Sequence, residues 1–329
     1  MDVKEILEKK AALVEPTLRQ YVLVGDKNIQ EMVMHPIAAG GKRIRPCLTL
    51  LACESVGGDS SKIVSAAASV ELLHTFTLVH DDIMDHDEKR RGLPTVHALW
   101  GDELGIMVGD VLYSTAFKAL IDVRKKGVDE KLVLDAVEAL TEANAELQEG
   151  QIMDMLFEKR DIITEQEYMR MIRKKTGVLI QCAVKIGGIL GGASEKQLDA
   201  LSVFGESAGV SFQIQDDILD LVADEKMLGK PIGSDIRKGK KTLIMVHALG
   251  NAKAADKKKI LSVLGRKGAS KKEVDDIIGI LKKTGSIDYA KDMVSRLSEE
   301  GKSALEELGD TEARRELMEL SDYLVKRRY

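Results

Sequence analysis

His74-Thr75-Phe76-Thr77-Leu78-Val79-His80-Asp81-Asp82-Ile83-Met84-Asp85 is an apolar run ending in three carboxylates spaced i, i+1 and i+4. On a helix, the step of about 100° per residue brings His74, Thr77, Asp81, Asp85 and Glu88 onto nearly one stripe. Buried carboxylates cost heavily unless paired or metal-bound, so a polar stripe on so apolar a segment asks for a partner. Hard divalent cations such as Mg²⁺ take oxygen ligands, keep waters and bridge to phosphates. The stretch therefore suggests a Mg²⁺ site for a phosphorylated substrate. The plainer reading, an acidic helix end facing water, is the commoner meaning of a lone DDxxD.

The spacing recurs in Phe212-Gln213-Ile214-Gln215-Asp216-Asp217-Ile218-Leu219-Asp220, where Gln213, Asp216, Asp217 and Asp220 share one helical face. Two such helices facing each other in a bundle would set two carboxylate clusters across a central cavity, as bundle sites are commonly built. A di-iron centre uses two Glu-x-x-His pairs, and the sequence holds only Glu71-Leu72-Leu73-His74, which favours oxygen-only ligation and Mg²⁺. The second copy reverses the plainer reading of the first.

Nearly every other segment carries the helical period. Strand-like alternation is scarce, aromatics make up 4% and there are five prolines, so the chain reads as all-α. Helices are expected over 3–25, 28–38, 46–56, the segment ending near Asp85, 103–124, 129–158, 165–190, 194–227, 240–249, 254–264, 271–284, 286–306 and 311–326. Gly57-Gly58-Asp59-Ser60-Ser61 offers caps for the helix that carries Asp81, and Gly92-Leu93-Pro94-Thr95 marks a loop. Connections are short and no fixed repeat is present, so residues 1–329 are expected to form a single domain, one large helical bundle with a charged C-terminal outer layer.

Hydrophobic residues at 44% with 31% charged can bury a sizeable core. A net charge of −5 gives no electrostatic case for nucleic acid or an anionic membrane. Three cysteines form neither a disulfide framework nor a CxxC pair, which fits a reducing cytoplasm. The N-terminus lacks the apolar core of a signal peptide, and charge interrupts the apolar runs, so no membrane-spanning helix is expected.

Basic groups sit beside both acidic motifs: Gly41-Lys42-Arg43-Ile44-Arg45, Arg90-Arg91, Lys174-Lys175-Thr176-Gly177, Lys230-Pro231-Ile232-Gly233-Ser234-Asp235 and Lys238-Gly239-Lys240-Lys241. Arginine suits bidentate phosphate binding and lysine acts as a point charge. Each alone is more often a solvated turn; their value is collective. Walker A, GxGxxG and HExxH patterns are absent, and the GxSxG at Gly205-Glu206-Ser207-Ala208-Gly209 falls inside the helix expected over 194–227, not at the strand-to-helix turn of a nucleophile elbow, leaving metal-assisted departure of a phosphate group as the chemistry. A rival reading uses the HD pairs His80-Asp81 and His86-Asp87, with His80 as a ligand of a metal-dependent phosphohydrolase. It leaves the second motif and the basic turns idle. A non-enzymatic helical subunit would be expected to have eroded one acidic motif, and both are complete.

With these residues assembled, the chain resembles the trans-isoprenyl diphosphate synthases, and within them the short-chain farnesyl and geranylgeranyl type. The likeness runs from about Gly41 to Lys241 through GGKRIRP, ELLHTFTLVHDDIMDHDEKRRG, GD at 109–110, EGQIMD at 149–154, KKTG and FQIQDDILD followed by GKPIGSDIRKGKKT. The resemblance implies an isoprenoid-synthase bundle in which Asp81, Asp85 and Asp216 bind three Mg²⁺ ions around an allylic diphosphate, supported by Asp82, Asp217 and Asp220. It implies that Arg90, Lys175, Thr176, Gln213, Lys230 and Lys240 hold that diphosphate, and that Lys42, Arg45, His74 and Arg91 hold isopentenyl diphosphate. Gln151 and Asp154 match a further pair near the metals.

The implied reaction is ionisation, condensation and elimination, with proton loss to the released diphosphate and no dedicated histidine base. Phe76 and Thr77, five and four positions before Asp81, resemble an archaeal-type chain-length floor, implying mainly geranylgeranyl with some farnesyl diphosphate. Helical geometry alone leaves Phe76 equally readable as a core residue. A homodimer is also implied. Lys326-Arg327-Arg328-Tyr329 reads either as a basic strap over diphosphate or as a frayed end.

Overall fold

Helix follows helix from Val3 onward in the computed structural model, which describes residues 2–222 and 232–326. Lys230 and the tail residues 327–329 lie outside the described residues. The all-α expectation holds, with one two-stranded hairpin among the described residues. Contacts gather the chain into two compact units. The first comprises Met1–Glu142, Leu179–Ser202 and Leu305–Leu320; the second comprises Ala143–Val178, Val203–Ala304 and Ser321–Tyr329.

The first unit opens with α1 (Val3–Tyr21) and α2 (Lys27–Ala38), each started by an aspartate, Asp2 or Asp26, whose side chain accepts first-turn N–H groups. α3 (Ile44–Ser55) follows, then a short 3₁₀ turn over Ser60–Lys62 that Asp59 caps. α4 (Val64–Met84) carries the first acidic motif and packs against α1 and α3. The expected caps of α4 serve the 3₁₀ turn instead, and Ile63 at its N-cap makes no side-chain bond. Burial of Ala66, Ala67, Ala68, Val70, Leu72 and Leu73 anchors this helix in place of a cap. Its stripe ends at Asp85, which caps the C-terminus, so Glu88 falls past the helix.

The segment read as a loop is a hairpin, β1 (Lys89–Arg90) with β2 (Leu93–Pro94), antiparallel in register Lys89 to Pro94 and Arg90 to Leu93. A short unanticipated helix, α5 (Val96–Trp100), leads into α6 (Asp102–Ile121). α6 lies along α4, and its glycines make that approach possible. A Cβ on Gly105 would meet Ile83 Cδ1 at 2.9 Å, and one on Gly109 would meet His80 Nε2 at 2.2 Å.

Among the described residues, Asp102–Lys126 is long and apolar enough to cross a membrane by length and composition, with Asp110 and Lys118 interrupting it as expected of the apolar runs. α7 (Glu130–Glu158), α9 (Val178–Leu190) and α10 (Glu195–Val222) each begin or end in one unit and continue in the other.

In the second unit, α8 (Glu165–Ile172) starts on a capping box made by Thr164 and Glu167. α11 (Ser234–Lys238), α12 (Leu243–Asn251), α13 (Ala254–Val263), α14 (Lys271–Lys283) and α15 (Ser286–Ala304) follow. The helix expected over 240–249 begins at Leu243, where Thr242 caps it by accepting from Met245 N–H. The core of this unit joins Tyr168, Ile172, Ile214 and Ile218 to Leu243, Ile277 and Leu281. α14 therefore contributes core as well as charged surface, each buried Ile or Leu being worth about 1.5–3 kcal/mol. α16 (Glu312–Lys326) ends the described chain.

Candidate active site

In the first unit the last turn of α4 divides its carboxylates by environment. Asp81 and Asp85 are half-buried, whereas Asp82 is 5% exposed and takes Nε and Nη2 of Arg90, both at 2.7 Å. Burial raises the Asp82 carboxyl above its ordinary range, and the Arg90 bonds offset only part of that. The hairpin delivers Arg90. Its two turn residues, Arg91 and Gly92, both have positive φ (53° and 79°), the requirement of a type I′ turn. His35 Nε2 bonds to Pro94 O at 2.8 Å and pins the hairpin to α2.

The basic turn Gly41–Arg45 sorts its cations in opposite directions. Arg43, at φ 48° and 4% exposed, donates to Glu71 Oε1 (2.8 Å), Glu15 Oε2 (3.0 Å), Ile37 O (3.0 Å) and Gly40 O (3.3 Å). Lys42 stays exposed and Arg45 half-buried. A Cβ on Gly41 would lie 2.8 Å from Arg91 Nη1, so glycine lets the Arg91 guanidinium approach the turn. His74 is held neutral well below the ordinary histidine pKa, first by burial and then by Arg45, Arg91, Arg90 and Arg43. His74, Arg45, Arg90 and Arg91 thus lie within electrostatic reach of one another, with the carboxylates of Glu71 and Asp82 acting on Arg90 and Arg91.

Phe76 is buried, with its ring centroid 4.8 Å from that of His80 and 5.2 Å from that of Tyr113, which in turn lies 5.1 Å from Phe117. Thr77 Oγ1 donates to His74 O at 2.8 Å. His80 Nε2 is 3.1 Å from Ile106 O. A carbonyl only accepts, so this nitrogen carries the proton and helps to hold α6.

In the second unit, Asp216 is half-buried, Asp217 is 6% exposed and Asp220 is 1% exposed. Asp217 accepts from Tyr168 OH (2.8 Å) and Gln213 Nε2 (2.9 Å), and Asp220 Oδ2 accepts the Asp235 N–H (3.1 Å). Burial, then the charge of Asp235, pushes the Asp217 carboxyl well above its ordinary value.

The helix expected over 165–190 is interrupted by a π turn at Arg173–Gly177, closed by Val178 N–H to Arg173 O. Single π turns within helices are frequent at functional sites. A Cβ on Gly150 of α7 would stand 2.3 Å from Lys175 N, so only glycine admits this turn. Lys175 Nζ reaches Asp154 Oδ2 at 2.6 Å, and Lys240 Nζ reaches the same oxygen at 2.9 Å. Burial alone would raise the Asp154 carboxyl, but the two lysines outweigh it and hold it below the usual range. Asp154, Lys175, Thr176, Gln213, Asp217 and Lys240 line one cavity of about 470 Å³, open to solvent. Gln151 is buried on α7.

Reasoning from sequence missed Arg43, Tyr113, Tyr168 and Asp235. Arg43 and Asp235 carried a signal, standing in the basic turn at 41–45 and in the Gly-containing loop after the second motif. Among the described residues, no three His, Cys, Asp or Glu side chains converge as a ready metal cage. A hard cation that shares phosphate oxygens and waters needs only one or two carboxylates, which the half-buried Asp81, Asp85 and Asp216 can offer.

The polyprenyl synthetase family profile matches residues 26–281. A short chain isoprenyl diphosphate synthase of Methanothermobacter thermautotrophicus is 42% identical over 330 residues, covering 100% of both chains. A geranylgeranyl diphosphate synthase of Methanosarcina mazei is 43% identical over 89% of this chain and 88% of its own. The crystal structure of a geranylgeranyl pyrophosphate synthetase from Pyrococcus horikoshii superposes with a TM-score of 0.94 at 42% identity, over 99% of this chain and 98% of that one.

Proposed function

Because the chain belongs to the polyprenyl synthetase family, we propose that it is a short-chain isoprenyl diphosphate synthase. It joins isopentenyl diphosphate to C5, C10 and C15 allylic diphosphates, chiefly giving geranylgeranyl diphosphate with some farnesyl diphosphate. The observation that carries this reading is the matched build of the two motifs: each presents a half-buried first aspartate beside a buried second one bonded to protein. We assign Asp81, Asp85 and Asp216 to metal, taken as three Mg²⁺, with Asp82, Asp217 and Asp220 supporting them. Bound Mg²⁺ supplies charge neutralisation on the departing diphosphate.

Arg90, Lys175, Thr176, Gln213, Lys230 and Lys240 hold the allylic diphosphate; Lys42, Arg45, His74 and Arg91 hold isopentenyl diphosphate. As the allylic C–O bond breaks, the fixed cations stabilise negative charge building on the diphosphate. The isopentenyl double bond, held beside the allylic cation, forms the new C–C bond, and the proton then leaves to the released diphosphate. Neutral His74 fits a binding role and need not act as base. Apolar helix walls keep water from the cation. Phe76, backed by Tyr113, sets with Thr77 where the chain stops.

The whole chain acts as one synthase domain, in the cytoplasm and as a homodimer. A second copy covers α6, whose Leu104, Ile106 and Met107 are 42%, 45% and 57% exposed. The deciding experiment incubates the protein with Mg²⁺, isopentenyl diphosphate and each allylic diphosphate, then chromatographs the dephosphorylated products. C20 and C15 alcohols are expected. Phosphate release from nucleotides without condensation would support the phosphohydrolase reading instead. Substrate binding with neither activity would support a regulatory subunit.

A further inference from the structure

We propose that Tyr168 is a positioning residue of the diphosphate site, heading a hydrogen-bond relay that locks the second acidic motif to the π turn carrying Lys175. This rests on the prenyl-transfer reading above. The relay has one direction: Tyr168 OH donates to Asp217 Oδ2 (2.8 Å), Gln213 Nε2 donates to Asp217 Oδ1 (2.9 Å), and Thr176 Oγ1 donates to Gln213 Oε1 (3.0 Å). Both oxygens of one carboxylate are thereby fixed, and the i, i+4 pair Gln213 and Asp217 grips the segment before the π turn, at Tyr168, and within it, at Thr176.

The Tyr168 ring is 1% exposed in an apolar core that phenylalanine would fill equally well. The hydroxyl is therefore the part that core packing leaves unexplained. Fixing Asp217 fixes the helical turn that presents Asp216; fixing Thr176 fixes its neighbour Lys175. The relay thus holds a proposed metal carboxylate and a proposed diphosphate cation in one register. Buried networks in which every member is satisfied give this kind of unique geometry.

The test is Tyr168→Phe. Calorimetric titration with Mg²⁺ and inorganic diphosphate is expected to show binding weakened about tenfold, the scale of one hydrogen bond to a charged group. The KM for allylic diphosphate should rise by a similar factor, while the KM for isopentenyl diphosphate, whose proposed ligands all lie in the first unit, stays unchanged. Unaltered diphosphate binding overturns the proposal, as does an equal fall in every parameter that merely tracks a lower melting temperature. Thr176→Val cuts the relay at its other end. A double variant no worse than the worse single one supports a shared relay, and additive losses overturn it. If the wild type binds Mg²⁺ and diphosphate without condensing prenyl substrates, the calorimetric shift still decides the relay while the prenyl-transfer reading falls.

Discussion

The two acidic motifs share a spacing but are braced by different physics. In the first, the buried Asp82 is answered by the full charge of Arg90, and the neighbouring basic turn hangs on the buried pair Arg43–Glu71. In the second, Asp217 is answered by the neutral donors Tyr168 and Gln213, and Asp220 by a backbone N–H. A buried ion pair adds little net stability while whole but costs heavily when one partner goes, because a bare charge stays behind. A neutral donor costs less to lose. The first site should therefore be the more brittle and the second the more gradual in its response to substitution.

Arg43→Ala gives the largest effect that follows. Leaving Glu71 buried without its partner should cost about 3–5 kcal/mol in urea melts, against about 1–3 kcal/mol for Tyr168→Phe. Equal losses would break the contrast. Next, Asp81→Asn and Asp216→Asn should each lower kcat about 10²–10³-fold, the usual scale for losing one group that stabilises transition-state charge. Both carboxylates are half-buried, so melting temperature should hardly move, whereas Asp82→Asn should lower both activity and stability. Phe76→Ala should shift the product by at least one isoprene unit, read by chromatography of the alcohols. Unchanged lengths would leave Phe76 as a packing residue alone.

A smaller effect depends on acid. Lys175 and Lys240 hold Asp154 below its ordinary value of 3.8 against the opposing pull of burial. Its stabilisation is complete above that value and is lost only as pH falls through the lower folded pKa. The stability gap between wild type and Asp154→Asn should be flat from neutral pH to about pH 4 and narrow below it. The smallest effect is a silence. Burial lifts Cys47, Cys53 and Cys182 to about 12, so all three thiols should resist alkylation at neutral pH. All three lie in the first unit, so their appearance under denaturant times the opening of that unit alone.

The helices were legible because an amphipathic helix must bury one stripe, and that stripe repeats along the chain. α14 shows this plainly, with Val274, Ile277, Ile278 and Leu281 on its inner face. The hairpin was not legible. Arg91 takes a left-handed turn position that usually calls for Asn or Gly, so Gly92-Leu93-Pro94-Thr95 looked like a plain loop. The π turn was legible only as a helix break. It packs closely against Gly150, more than twenty residues earlier in the chain, a contact no local pattern carries.

What the sequence determined by itself is local: helical periods, both DDxxD clusters, and the presence of cations near each. These follow from the spacing of neighbours along one element, which the chain order carries directly. Which of Lys42, Arg43 and Arg45 turns inward was decided only in the fold, by Glu15 and Glu71 arriving from α1 and α4. Tertiary packing likewise decided that Asp217, and not Asp216, is the buried partner of Tyr168. Adjacent residues of like chemistry are equivalent until another element removes water from one of them, and that choice rests on contacts far apart in the chain.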